Sequence, residues 1–169
     1  MRKRTLLSVM ALAPVLSACG FRLRGVPSFA FQSLYVQAPT GSMFTREVLR
    51  QLATAGSNLR IVLPPDTPDT AEATLHLMGE QRERVVLAKT VAGQVREVEL
   101  RLSARFKLVD QQGRVWIEDA VLRQKRDMSY SESLALAKDE EEATLYRNMY
   151  SDLAQQLLRR LAAAQAPAT

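Results

Sequence analysis

The residues of this chain with chemistry to offer are few: one cysteine, one histidine, a run of carboxylates and two groups of cations. Cys19 closes the stretch Leu16-Ser17-Ala18-Cys19. Before it come a basic n-region, Arg2-Lys3-Arg4, and an apolar run from Leu6 to Leu16 broken only by Ser8 and Pro14. That is the pattern of a secretory leader, and the run is too short to span a bilayer as a helix. A leucine, two small residues and a cysteine match the bacterial lipobox, in which the thiol takes a diacylglycerol and the chain is cut just before it. The plainer alternative is an ordinary leader followed by a buried cysteine. A lone exported thiol with no disulfide partner favours acylation. Several fatty chains, at ~0.8 kcal/mol per buried methylene, hold a protein where one chain holds it only marginally.

His76 sits between Leu75 and Leu77 in a run that reads as strand. A catalytic imidazole needs a nucleophile and an orienting acid, and the sequence identifies neither, so a hydrolase using His76 is the weakest reading. No His/Cys/Asp cluster has metal-ligand spacing, and no glycine-rich phosphate loop occurs. The acids Asp139, Glu140, Glu141 and Glu142 would point in different directions on a helix, which suits a solvated first turn better than a cation site. The cations are more suggestive. Arg82, Arg84, Lys89 and Arg96 bracket a turn around Gly93; Arg123, Lys125 and Arg126 end the last strand, and Lys138 opens the last helix, where Asp139 or Glu142 offers it an ion pair. Such groups suit the phosphates of an anionic lipid, with strand apolar positions meeting its acyl chains. The alternative is a solvated charged face.

The elements that must position these residues follow from periodicity. Without a leader of 18 residues, about 150 of the 169 remain, enough for one domain with a core that needs no disulfide. The formal charge of +5 includes the three leader cations, which leaves +2 for residues 19–169 and argues against a nucleic-acid partner. Leu34 to Val36 reads as a short strand. A helix capped by Ser42 follows, with Phe44, Val48, Leu49, Leu52 and Ala55 on one face and Gly56 at its end. Leu59 to Leu63 is a second strand, and the proline-rich 64–69 a surface loop. From Ala73 the period is two: Ala73, Leu75, Leu77, Val85 and Leu87 fall largely on one face. Val98, Leu100, Leu102, Ala104, Phe106 and Leu108 then alternate strictly with polar residues. Thr90 to Gln94 and Gln111-Gln112-Gly113 turn the chain, and a further strand runs from Val115 towards Met128. Leu145, Met149, Leu153, Leu157 and Leu161 mark a long amphipathic helix, capped by Ser133 or by Asp139 with Glu142. The expected fold is α+β, two helices packed on one face of a mostly antiparallel β-sheet in two layers. The expected division is a leader over 1–18, an acylated tether over 19–31 and a single domain over 32–165.

Two stretches carry a family resemblance. Cys19 followed by Gly20-Phe21-Arg22-Leu23-Arg24-Gly25 resembles the start of LptE, the lipopolysaccharide-assembly lipoprotein family. Leu134-Ala135-Leu136-Ala137-Lys138-Asp139-Glu140-Glu141-Glu142, continuing to Leu161, is similar to that family's C-terminal helix. The resemblance implies a non-enzymatic outer-membrane lipoprotein, lipid-anchored on the periplasmic side. Such a protein plugs the β-barrel LptD, helps it assemble and binds lipopolysaccharide on its way to the outer leaflet. It implies no cofactor beyond the covalent groups on Cys19, S-diacylglycerol and an N-acyl chain of palmitate type. Gly20, in place of an aspartate, agrees with outer-membrane sorting. The resemblance carries lipopolysaccharide binding onto Lys138 and onto a cation beside the hairpin glycine. Here Val91-Ala92 precedes Gly93, and the nearest cation is Lys89, with Arg82, Arg84 and Arg96 further off. A stand-alone periplasmic lipid-binding lipoprotein without a barrel partner is the rival reading.

Overall fold

The computed structural model describes residues 28–55 and 58–166. Its elements are β1 (Ser33–Gln37), α1 (Met43–Thr54), β2 (Arg60–Val62), β3 (Ala73–Lys89), β4 (Val95–Asp110), β5 (Val115–Ser129) and α2 (Ala135–Ala163). They form one five-stranded sheet, in the order β2-β1-β3-β4-β5, with both helices against one face. The two-layer α+β expectation holds, but the sheet is mixed. β1 is parallel to both β2 and β3, and only β3-β4 and β4-β5 are antiparallel. The physical reason lies in the connections. The α1 crossover returns the chain to the end where β1 began, which makes the following strand parallel. The proline-rich loop before β3 then does the same again.

Local chemistry accounts for most boundaries. Ser42 Oγ accepts from the Thr45 amide at 3.0 Å and caps α1, while Phe44, Val48 and Leu52 are buried at helical spacing. Gly56, expected at the end of that helix, lies outside the described residues. Gly93 (φ +84) and Gly113 (φ +77) supply the left-handed residues of the two turns. Phe31 is 3% exposed and packs edge-on against Trp116 at 5.8 Å, so residues expected to end a tether already contribute to the core. Among the described residues no helix is long and apolar enough to cross a membrane.

Two expectations fail. Val85 does not share the face of Ala73, Leu75 and Leu77, because a bulge shifts the register between Leu77 and Glu80. Gly79 sits there at φ +107, a conformation that glycine adopts without strain. Beyond the bulge Glu80, Arg82, Arg84 and Val86 lie opposite Ala104, Leu102, Leu100 and Val98, which puts polar residues beneath the helices. The second failure is the start of α2. A 3-10 turn at Glu132–Leu134 runs directly into the helix, and no side chain caps it. Ser133 lies inside that turn, where the extended backbone of a cap is missing, and its hydroxyl meets Ser131 instead. Asp139 to Glu142 therefore fall beyond the first turn of α2.

Candidate functional site

The residues after the bulge meet α2 as the rungs of a ladder. Tyr150 donates its hydroxyl to Glu80 Oε1 at 3.0 Å and accepts from Arg82 Nε at 2.8 Å. The Arg82 guanidinium lies 4.8 Å from the Tyr146 ring centre and 5.0 Å from that of Tyr150. Tyr146 donates to the Glu83 carbonyl at 2.9 Å, and Arg84 pairs with Glu142 at 3.3 Å while stacking over Tyr130. Four helical residues rise about 6 Å and two strand residues about 6.6 Å, which is why the rungs stay in step with α2 antiparallel to β3. Burial raises the pKa of both tyrosines. Burial also pushes the Glu80 carboxyl up, but hydrogen bonds from Ser42, Phe44, Tyr150 and Met43 outweigh it and hold the group below its ordinary range. Arg82 and Arg84 thus serve the contact between strand and helix.

Three other expected cations gather where the ladder ends. Lys138 Nζ donates to Ser129 Oγ at 3.2 Å and pairs with Glu141 at 2.7 Å, its side chain only 16% exposed. Its partner is neither Asp139 nor Glu142, since Glu141 lies one helical turn on and Glu142 is taken by Arg84. Ser129 lies opposite Glu97, beside Arg96, whose carbonyl accepts from the Tyr130 amide at 2.8 Å. Lys89 closes β3 opposite Val95. Lys89 and Arg96 make no side-chain ion pair among the described residues. Two strands and a helix thus bring Lys89, Arg96 and Lys138 to one pole of the fold.

The remaining candidates lie elsewhere. Arg126 faces α2 and pairs with Asp152 at 2.5 Å. Lys125 shares Glu99 with Arg101 on the sheet face that carries no helix, at 3.0 and 2.6 Å. Gln81, Arg101, Ser103 and Arg123 line a groove of about 680 Å³ on that face. His76 also faces that side, opposite Lys107. Partial burial and the Lys107 charge lower its pKa, and no carboxylate or hydroxyl bonds to it among the described residues. No group of three or more potential metal ligands occurs among the described residues. Cys19 and the expected leader lie outside them. The open-face groove and the tyrosine ladder escaped the sequence reading, although a lone glycine inside a strand pattern signals a bulge.

Comparison with known proteins adds what geometry alone does not. The model of LptE, a lipopolysaccharide-assembly family, matches residues 29–161. The chain belongs to this family. Among solved structures, a lipoprotein B from Nitrosomonas europaea is 29% identical. That match covers 85% of this chain and 91% of the other, with a TM-score of 0.71. A rare lipoprotein B from Shewanella oneidensis is 25% identical over 78% and 94% of the two chains, with a TM-score of 0.66. A minor lipoprotein from Acinetobacter baumannii, 22% identical with a TM-score of 0.63 over 83% and 100%, shares the fold. No curated protein sequence matches the chain. The family match begins at Phe29 and ends at Leu161, so it spans all five strands, α1 and nearly all of α2.

Proposed function

We propose that this chain is a non-enzymatic lipoprotein of the outer membrane, anchored through an acylated Cys19. It plugs and helps assemble the LptD β-barrel and binds lipopolysaccharide as it passes to the outer leaflet. The observation that carries this reading is the LptE match over 29–161. The convergence of Lys89, Arg96 and Lys138 on one pole supports the lipid-binding part, since a phosphorylated glycolipid needs several cations within reach of one another.

Recovery of the protein from outer membranes in mild detergent tests the barrel partnership. A large β-barrel protein should come with it, and a lone lipoprotein would favour the stand-alone lipid-binding reading instead. Lys138→Asp tests the lipid site. A charge-assisted contact to phosphate is worth ~1.5–3 kcal/mol, and giving up the exposed pair with Glu141 offsets ~0–1 kcal/mol of it. Lipopolysaccharide binding should weaken by roughly two- to a hundredfold, with the barrel still recovered. Lys89→Asp should act in the same direction. Unchanged binding by the Lys138 variant would remove that residue from the site.

A further inference from the structure

Away from the pole that carries Lys138, the two helices enclose a groove of about 510 Å³. Arg46, Glu47 and Arg50 of α1 and Arg147, Asn148 and Ser151 of α2 line it. Its floor is tied together by one amide. Gln51 Nε2 donates to Glu47 Oε1 at 2.7 Å and to the Ser151 carbonyl and hydroxyl, each at 3.1 Å, which joins α1 to α2. Glu47 also accepts from Arg50 Nε at 2.9 Å, so this acid and this cation cancel. Arg46 reaches the Met43 thioether, and Arg147 donates to Thr144 Oγ1 at 2.8 Å. Neither of these two arginines makes an ion pair among the described residues. Glu80, behind Tyr150 at the groove wall, shares the tyrosine hydroxyl with Arg82. Glu140, the next acid along this face of α2, precedes Arg147 by two turns, about 10 Å along the axis. Two guanidiniums on facing helices are thus left uncompensated.

The occupant is set by charge and by position. A guanidinium offers paired N–H donors that match the oxygens of a phosphate, and two on opposite walls can clamp one between them. β1 has five residues, so α1 begins roughly 17 Å from the point where the chain enters the sheet. Residues 20–27 can reach at most about 29 Å from an anchor at Cys19. A chain held there can lay the groove on the headgroups of its own bilayer, where basic residues are drawn to anionic lipid.

We propose that the groove between α1 and α2 binds the phosphodiester of an anionic glycerophospholipid, held by Arg46 on one wall and Arg147 on the other. The choice of lipid rests on the anchor at Cys19 proposed above; the arginine clamp does not. The test uses the full-length lipoprotein in a neutral detergent, titrated with dihexanoyl phosphatidylglycerol, dihexanoyl phosphatidylcholine and inorganic phosphate. Amide NMR shifts report the binding. Phosphatidylglycerol should move the amides of 46–51 and 147–151 and bind more tightly than phosphatidylcholine, whose choline adds a cation beside the arginines. Each guanidinium removed costs about fivefold, so the double variant Arg46→Gln/Arg147→Gln should bind roughly thirtyfold more weakly. Arg159→Gln, which changes an exposed cation of α2 outside the groove, should bind like the parent. All three positions are exposed, and circular dichroism with thermal unfolding checks the fold. Unchanged binding by the double variant, or an equal loss in Arg159→Gln, overturns the site. Inorganic phosphate bound as tightly as phosphatidylglycerol overturns the choice of lipid. A chain that carries no acyl group on Cys19 yet still binds through Arg46 and Arg147 overturns the anchor reading and leaves the groove standing.

Discussion

Replacing Glu80 tests the account of how the layers are held in register. Its carboxylate accepts from Ser42 Oγ at 2.6 Å, the Met43 amide at 3.1 Å, the Phe44 amide at 2.9 Å and the Tyr150 hydroxyl at 3.0 Å. One side chain at the bulge thus caps α1 and anchors α2. Glu80→Ala leaves two amides, a hydroxyl and a phenol to find water in a half-buried site. Hydrogen bonds to a charged group are worth ~1.5–3 kcal/mol each, but they share one carboxylate and do not add. A loss of about 2–3 kcal/mol is the working figure, and for a domain of this size it lowers Tm by roughly 5–10 °C. Glu80→Gln keeps some of the acceptors and should lose less.

The pH dependence supplies a second readout. The folded-state pKa of Glu80 is depressed below its ordinary value of 4.5, so its charge contributes stability above that value. The contribution is lost as pH falls through the folded pKa. The stability gap between the unaltered protein and Glu80→Gln should be full at pH 7, shrink once the pH falls below 4.5 and close as it passes through the folded pKa. Urea unfolding at several pH values measures it. A gap that stays constant down to pH 3, or a Glu80→Ala variant within 1–2 °C of the parent at pH 7, would refute the capping argument.

Three further outcomes are expected. Cys19→Ala should give a chain that takes no fatty-acid label and no longer fractionates with outer membranes; normal labelling would show that another residue is acylated. His76→Ala should fold and leave lipopolysaccharide assembly intact apart from a modest stability change, whereas a folded but inactive variant would reopen an enzymatic reading. Gly79→Ala meets no atom within 4 Å, so its cost is backbone strain alone, about 1–2 kcal/mol, read as a lower urea midpoint. No change in the midpoint would argue against the left-handed bulge.

What was legible in the sequence was whatever depends on neighbours along the chain. Ser42, Phe44, Val48 and Leu52 announce α1, and the strict alternation from Val98 to Leu108 announces β4. Both survive because capping and strand pleat act over a few residues. The parallel placement of β1 was not legible, since β1 and β2 together offer eight residues whose partners are decided by the path of the loops. Lys138 was legible as a residue but not as a site. Its partners are Ser129, fixed by the end of β5, and Glu141, fixed by a helix start that no side-chain cap marks. The bulge had a signal in Gly79, yet only pairing with β4 shows that Arg82 and Arg84 turn inward.

That inward turn explains how one sheet serves two purposes. Before the bulge the sheet is apolar beneath the helices, with Ala73, Leu75 and Leu77 buried. The matching part of α2, from Leu153 to Leu161, is apolar as well. Burial there contributes ~1.5–3 kcal/mol for each large side chain, and the core continues past the bulge through Val98, Leu100 and Leu102 of β4. After the bulge the same strand presents Glu80, Arg82 and Arg84, and the helix answers with Tyr150, Tyr146 and Glu142. Hydrogen bonds and ion pairs at half-exposed positions add little net stability, but they fix distance and register. A purely apolar interface running to the hairpin would have left Lys138 buried without a polar partner, at a desolvation cost. The polar ladder ends at Arg84 and Glu142, beyond which Lys138 is held by Ser129 and Glu141 in place of apolar neighbours.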